Sequence, residues 1–325
     1  MRNDAGAGGE AGASASEGGP AERDVVKAID ANADADATVV SASAVSASVF
    51  APVWPVPTTV KSLVSTRCGG VSVAPYDDGA GSGKQGLNLG FHTGDAPDAV
   101  AHNRGRLAEY VGHRPIAWVD QCHGVAVAVA GDVIRDAAQG QQTVADAVIS
   151  DKTDEVCAIM VADCLPVLFA DTRSRVVGAA HAGWRGLCGG VLERTAQAMR
   201  ATIAAEDDVT LLAYLGPSIG PTAFEVGAEV RDAFVQAALP DEVAATTAAF
   251  VALPAPQSAE TPSGLPQKYM GDLPALAKLR LARAGITLVY GGDACTFSDK
   301  RRFYSYRRDG RTGRLAAVIW RQGKP

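Results

Sequence analysis

The sequence predicts an α/β (α+β) protein built around mixed β-sheet, and three observations lead there. Short apolar, β-branched runs crowd together between residues 145 and 180, too close for a helix to separate each pair. Helical periodicity recurs on both sides of that crowd. Hydrophobic residues make up 47% of the chain, enough for a sizeable core. At 325 residues the chain has room for one large domain or two ordinary ones.

The elements follow in order. Residues 1–48 are Ala, Gly, Ser and Asp with few large apolar side chains, and cannot bury enough surface to offset chain entropy. A disordered extension is expected there, with a folded catalytic domain over 49–325. Val60–Thr66 reads as a strand, and Arg67–Asp95 as a long Gly-rich loop, a length that points to function. Ala96–Gly112 has helical spacing with Asp95 as its expected cap. Ile116–Asp120 and Val125–Ala130 read as strands around the tight turn Gln121-Cys122-His123-Gly124. Ala145–Ser150, Val156–Ala162, Leu165–Ala170 and Arg175–Ala180 form the strand crowd. Leu187–Ile203, Val226–Ala238 and Leu273–Ala284 read as helices. Val209–Leu215, Ile286–Tyr290, Arg302–Tyr306 and Leu315–Trp320 read as strands, and 240–266 as a surface excursion.

Charge and cysteine usage exclude some classes. The formal net charge is −6, and residues 1–48 alone carry −5, leaving the rest near neutral. A general nucleic-acid binder needs a basic surface, so none is expected. No run approaches the roughly 18–20 apolar residues of a membrane helix, and residues 1–24 lack the apolar stretch of a secretory signal. The six cysteines contain no CxxC pair, which fits free thiols in a reducing cytoplasm.

Chemistry concentrates between Val161 and Leu187. Cys164 sits just before one apolar run and His181 just after the next, and a short turn at Asp171–Ser174 would bring them together. Ala182-Gly183-Trp184-Arg185-Gly186 then reads as a glycine-flanked turn into a helix, a candidate anion site. The chain has five histidines, and His123, like His181, stands at a strand end beside glycine. Cys164, His123 and His181 match a catalytic zinc with three protein ligands and one open position. From spacing alone the set is equally readable as a metal site or as buried structural residues, and Cys164 has a rival reading as a thiolate nucleophile near His181. Asp163 is a candidate to orient a ligand or carry protons. Arg67, Arg185 and the group Arg307, Arg308, Arg311 and Arg314 are candidate clamps for phosphate or carboxylate. Five histidines cannot furnish a multicopper centre.

These motifs, STRCGGVS (65–72), LNLGFHTGD (87–95), QCHG (121–124), ADCLPVLFAD (162–171), AHAGWRGL (180–187) and FYSYRRDGRTGRLAAVIW (303–320), resemble the YfiH-type laccase-domain family. That family is also called multicopper polyphenol oxidase or purine nucleoside phosphorylase. The resemblance runs from about Leu63 to Trp320. It implies a single domain with central mixed β-sheets flanked by helices in α/β/β/α layers. It implies Zn2+, or Cu2+, on His123, Cys164 and His181, with Asp163 in the catalytic set. It implies phosphorolysis of adenosine, inosine and methylthioadenosine together with adenosine deamination, with copper-dependent polyphenol oxidation or peptidoglycan editing as alternatives. The implied partners are purine nucleosides and phosphate, with Arg67, Asn88, Arg185 and Arg307 as substrate contacts, in a monomer or weak homodimer. Cys122 departs from the family's usual valine, and the loop Asp77–Gly86 is longer than usual.

Overall fold

The computed structural model describes residues 47–79, 85–204, 208–254 and 266–323. Of the expected N-terminal extension, residues 1–46 lie outside these. The chain opens with β1 (Val49–Phe50), β2 (Val60–Ser65) and β3 (Cys68–Ser72). The expected long loop is therefore interrupted by a strand and then by a 3-10 turn at Phe91–Thr93. Glycines hide β3 from propensity; tertiary bonds make it. The Asn103 side chain accepts from Val71 N at 2.9 Å and donates to Ser72 Oγ at 2.8 Å, standing in for a neighbouring strand.

Asn103 belongs to α1 (Pro97–Tyr110), whose N-cap is Ala96 and not Asp95. Pro97 suits the first helical turn because its missing N–H would have no partner there. Next come β4 (Ile116–Trp118), β5 (Val127–Val129) and α2 (Ala130–Ala138), a helix the sequence reading omitted. The strand crowd resolves into β6 (Ala147–Ser150), β7 (Val156–Val161), β8 (Leu165–Asp171) and β9 (Val177–Ala182).

The helix expected over 187–203 is two, α3 (Trp184–Gly189) and α4 (Val191–Ala201). The break falls at Gly190, whose φ of 95° ends the first helix in a left-handed turn. β10 (Leu211–Leu215) and β11 (Glu225–Gly227) precede α5 (Ala228–Gln236), so the helix expected from Val226 begins as a strand. The supposed excursion holds α6 (Val243–Ala248) and β12 (Phe250–Ala252), with residues 255–265 outside the described set. β13 (Lys268–Gly271) leads to α7 (Leu273–Arg283), capped by Asp272, which accepts from Ala275 N at 2.9 Å. β14 (Leu288–Gly291) follows. Arg302–Tyr306 is not a strand. Ser305 there caps the short helix α8 (Tyr306–Asp309), accepting from Arg308 N. β15 (Leu315–Arg321) completes the fold.

The strands form a five-stranded sheet, β1-β2-β15-β7-β4, a six-stranded sheet, β14-β10-β8-β9-β6-β5, and a small sheet, β11-β13-β12. Both large sheets mix parallel and antiparallel pairs, as the crowding predicts. They pack face to face through β7 and β15 against β9 and β8. On the outer face of the five-stranded sheet, Leu107 and Val111 of the α1 region meet Val156, Ala158 and Val318. On the outer face of the other, Leu192, Ala196 and Met199 of α4 meet Leu165, Val167 and Phe169. This is the α/β/β/α layering. It explains why β7, β8 and β9 are buried along their whole length: each has a covered face on both sides. No helix among the described residues is long and apolar enough to cross a membrane.

Phe169 lies on the helix-facing side of β8 with no exposure. Replacing it with alanine removes a full ring from a packed layer. Phe169→Ala is expected to lower stability by about 3–5 kcal/mol, read as a lower urea midpoint with an unchanged slope.

Candidate metal centre and its cavity

β8 and β9 form an antiparallel hairpin in which Leu165 faces Ala182 and Pro166 faces His181. The turn is locked by Asp171, whose Oδ2 accepts from Arg173 N, Arg175 N and Arg175 Nε. β9 starts two residues later than expected and runs through His181, so the imidazole projects from the strand itself. Cys164 stands one residue before β8 and is thereby carried to the same end of the hairpin.

His123 arrives from the other large sheet, on the loop that follows β4. Gln121 pins that loop to the end of β7: its Nε2 donates to Met160 O and its Oε1 accepts from Met160 N, both at 2.8 Å. His123 then turns back with φ 62°, in the left-handed region. The backbone amides of the turn converge on Asp146, which precedes β6. Asp146 Oδ1 accepts from His123 N at 2.9 Å, and Oδ2 from Gly124 N at 2.6 Å. The same Oδ1 lies 2.8 Å from His181 Nδ1. Burial pushes the Asp146 carboxyl up, but the bonds from His181 and Gly124 outweigh it and hold the pKa down to about 2.

These anchors bring the ligand atoms of His123, Cys164 and His181 within 4.8 Å of one another. Cys164 Sγ is 3.6 Å from His123 Nε2, and the two imidazoles meet edge-on with centroids 4.7 Å apart. An ion holding sulfur at about 2.3 Å and nitrogen at about 2.0–2.1 Å in tetrahedral geometry sets those atoms about 3.6 Å apart. The donor set therefore fits. Charge agrees with distance. Burial pushes the Cys164 thiol up, but His181 and His123 outweigh it and bring it down to about 6. Burial pushes His181 down, yet the Cys164 sulfur and Asp146 carboxylate hold it up, at about 9. The lowered Cys164 pKa favours the thiolate, the form that binds a metal. With Nδ1 held by Asp146, Nε2 is the atom a metal would take, displacing the proton that the raised pKa keeps there. Cys122 turns away, its Sγ 3.3 Å from Asp146 Oδ2.

Gly183 makes the approach possible. A Cβ there would stand 2.7 Å from His123 Cδ2 and 3.1 Å from Cys164 Sγ.

The cluster forms part of the wall of a 740 Å³ cavity, which Asp163, Arg185, Arg307 and Arg314 also line. Asp163 adopts φ 87°, and both of its carboxylate oxygens are taken. Oδ1 accepts from Thr296 Oγ1 at 2.6 Å and Oδ2 from Arg307 N at 2.7 Å. Arg185 lies exposed over the Trp184 ring, and the helix it begins is only six residues long. Arg67 and Asn88 do not line the cavity. Arg67 is buried over the Tyr304 ring, bonded to Asp77 and to Lys300 O. Asn88 is buried too, and its Oδ1 accepts from Gly90 N and Arg314 N. Asp146, Gln121 and His92 were passed over as site residues. Asp146 carried no local signal, since its partners lie 22 to 35 positions away.

A family model described as multi-copper polyphenol oxidoreductase laccase matches residues 61–322. A Pseudomonas aeruginosa protein named purine nucleoside phosphorylase is 48% identical over 273 residues, covering 83% of this chain and 97% of that one. The Escherichia coli purine nucleoside phosphorylase YfiH is 43% identical over 275 residues, covering 84% and 98%. A crystal structure from Neisseria meningitidis superposes with a TM-score of 0.70 at 43% identity, covering 85% of this chain and all of that one. YlmD from Geobacillus stearothermophilus gives a TM-score of 0.65 at 30% identity, covering 82% and 93%.

Two substitutions probe the cluster. Gly183→Ala forces the His123 ring aside, so the folded protein should purify with metal well below the wild-type ratio, read by elemental analysis beside circular dichroism. Asp146→Asn keeps the shape but loses the charge that orients His181. Metal affinity should fall about 10–100-fold in a chelator competition.

Proposed function

Because this chain belongs to the multi-copper polyphenol oxidoreductase laccase family, we propose that it is a zinc-dependent purine nucleoside phosphorylase that also deaminates adenosine. The observation that carries the reading is the convergence of His123, Cys164 and His181 on one point in the wall of an arginine-lined cavity. The names borne by relatives at 43–48% identity support the substrate class.

In phosphorolysis the bond from the ribose anomeric carbon to the purine nitrogen breaks, and a phosphate oxygen bonds that carbon. The base leaves with the electron pair and takes up a proton. Adenosine, inosine and methylthioadenosine all present that bond. In deamination a water oxygen replaces the amino group at C6, releasing ammonia. Zn2+ bound to the three donors supplies a Lewis acid with a position left for substrate.

The protein's own residues do the rest. Asp146 orients His181, and Gln121 fixes the loop that carries His123. Asp163, in the cavity wall, accepts one bond at each oxygen, which ties the strand end before β8 to Thr296 and to α8 and leaves lone pairs for proton transfer. His92 lines the same cavity. Burial, with Arg314 adding to it, holds its pKa below the usual histidine range, so it is neutral near pH 7 and able to accept a proton. Arg185 and Arg307 make the wall cationic, suited to an anionic co-substrate.

The test is pure, metal-loaded protein given inosine and inorganic phosphate. Ribose 1-phosphate and hypoxanthine should form, and Cys164→Ala should cut the rate by about 100-fold or more. An inert wild type, or undiminished yield from Cys164→Ala, overturns the reading. So does a copper-loaded protein that consumes oxygen with phenols and leaves inosine untouched.

A further inference from the structure

We propose that Arg314, presented to the cavity by Asn88, is the residue that grips the phosphate co-substrate; the inference rests on the phosphorolysis reading above. The neighbouring arginines are spent elsewhere. Arg67 and Arg308 pair with Asp77 and Asp309. Arg311 donates to the Tyr76 hydroxyl and to Gly94 O. That leaves the three that line the cavity. Arg307 is exposed and donates through Nη1 to the carbonyls of Ala223 and Glu225, clasping α8 to the loop before β11. Arg185 is exposed and stacked on Trp184.

Arg314 sits deeper. It is half-buried, and its stem is close enough to Gly90 that a Cβ there would meet Arg314 Cγ at 2.8 Å. Its backbone N donates to Asn88 Oδ1 at 2.8 Å. Asn88 Nδ2 in turn donates to Thr93 Oγ1 and Asp95 Oδ2, so one buried amide sets both the start of β15 and the turn that carries His92. The Arg314 guanidinium donates from Nη1 to Thr312 O and Gly313 O. Among the described residues no carboxylate is paired with it.

A half-buried cation needs an anion. Cys164 and Asp163 line the same cavity as Arg314. Asp163 already accepts at both oxygens. The Cys164 sulfur belongs to the candidate metal set. A phosphate dianion restores the balance. The guanidinium fork suits it because Nε and Nη2 can donate side by side to two phosphate oxygens. Arg314 and Cys164 line the same cavity, which puts the grip near the reacting centre.

Inorganic phosphate is titrated into metal-loaded protein by calorimetry, and steady-state constants are measured for phosphate and inosine. For Arg314→Gln, Kd and KM for phosphate should rise on the order of 10-fold, with KM for inosine moving much less. Arg314→Lys keeps the charge and stem without the fork and should fall between; it also answers if the glutamine variant proves insoluble. Arg185→Gln should shift phosphate affinity less than Arg314→Gln. Phosphate affinity unchanged in both Arg314 variants, or both KM values raised together, overturns the assignment. Arg314-dependent phosphate binding without any ribose 1-phosphate would leave this site standing while the phosphorolysis reading falls.

Discussion

One buried carboxylate, that of Asp146, holds the site together. It binds the His181 ring from β9 and the backbone amides of His123 and Gly124 from the loop after β4. That loop crosses from β4 in the five-stranded sheet to β5 in the six-stranded sheet that holds β9. The cluster therefore depends on a contact between sheets and not on either sheet alone. Leaving the amides without an acceptor would expose buried donors to a desolvation cost of about 1–3 kcal/mol each. The carboxylate in turn stays ionised against burial because so many donors face it.

Backbone strain gathers at the same place. His123 and Asp163 both adopt positive φ without being glycine. Each costs on the order of 1–3 kcal/mol and persists only where surrounding bonds over-determine it. Those bonds are visible: Asp146 captures the His123 amide, and Thr296 with the Arg307 amide captures the Asp163 carboxylate. Structure far from the cluster in sequence thus holds it in a form that local propensity disfavours.

Much of the scaffold was legible because burial on both faces writes itself as continuous apolar runs, as in β7 and β8. The hairpin that joins Cys164 to His181 followed from two such runs and a polar turn. The boundary error at β9 put His181 outside its strand, a slip of two residues that left the pairing intact. Elements made by side chains from elsewhere were not legible. β3 needs Asn103, and α8 needs the Ser305 cap. Among the site residues, reactive types at strand ends could be named, but direction could not. Arg67 and Asn88 share the glycine-rich setting of Arg185, yet both turn inward, one to Asp77 and one to the backbone of Arg314.

Charge counting shows the same division between composition and placement. Beyond residue 48 the chain is close to neutral, which is the ground for expecting no polyanion-binding surface. It says nothing about the cavity, where the fold separates the signs. A thiolate and two imidazoles gather at one point, and Arg185, Arg307 and Arg314 line the wall around it. The order of events follows from that layout. A cation taken up by the sulfur and nitrogens cancels the nearest negative charge on the arginine side. The arginines would then be the dominant charges lining the cavity, favouring an anion there. Cys164 and Arg314 line one cavity, so a metal on the sulfur and an anion on the arginine would share it.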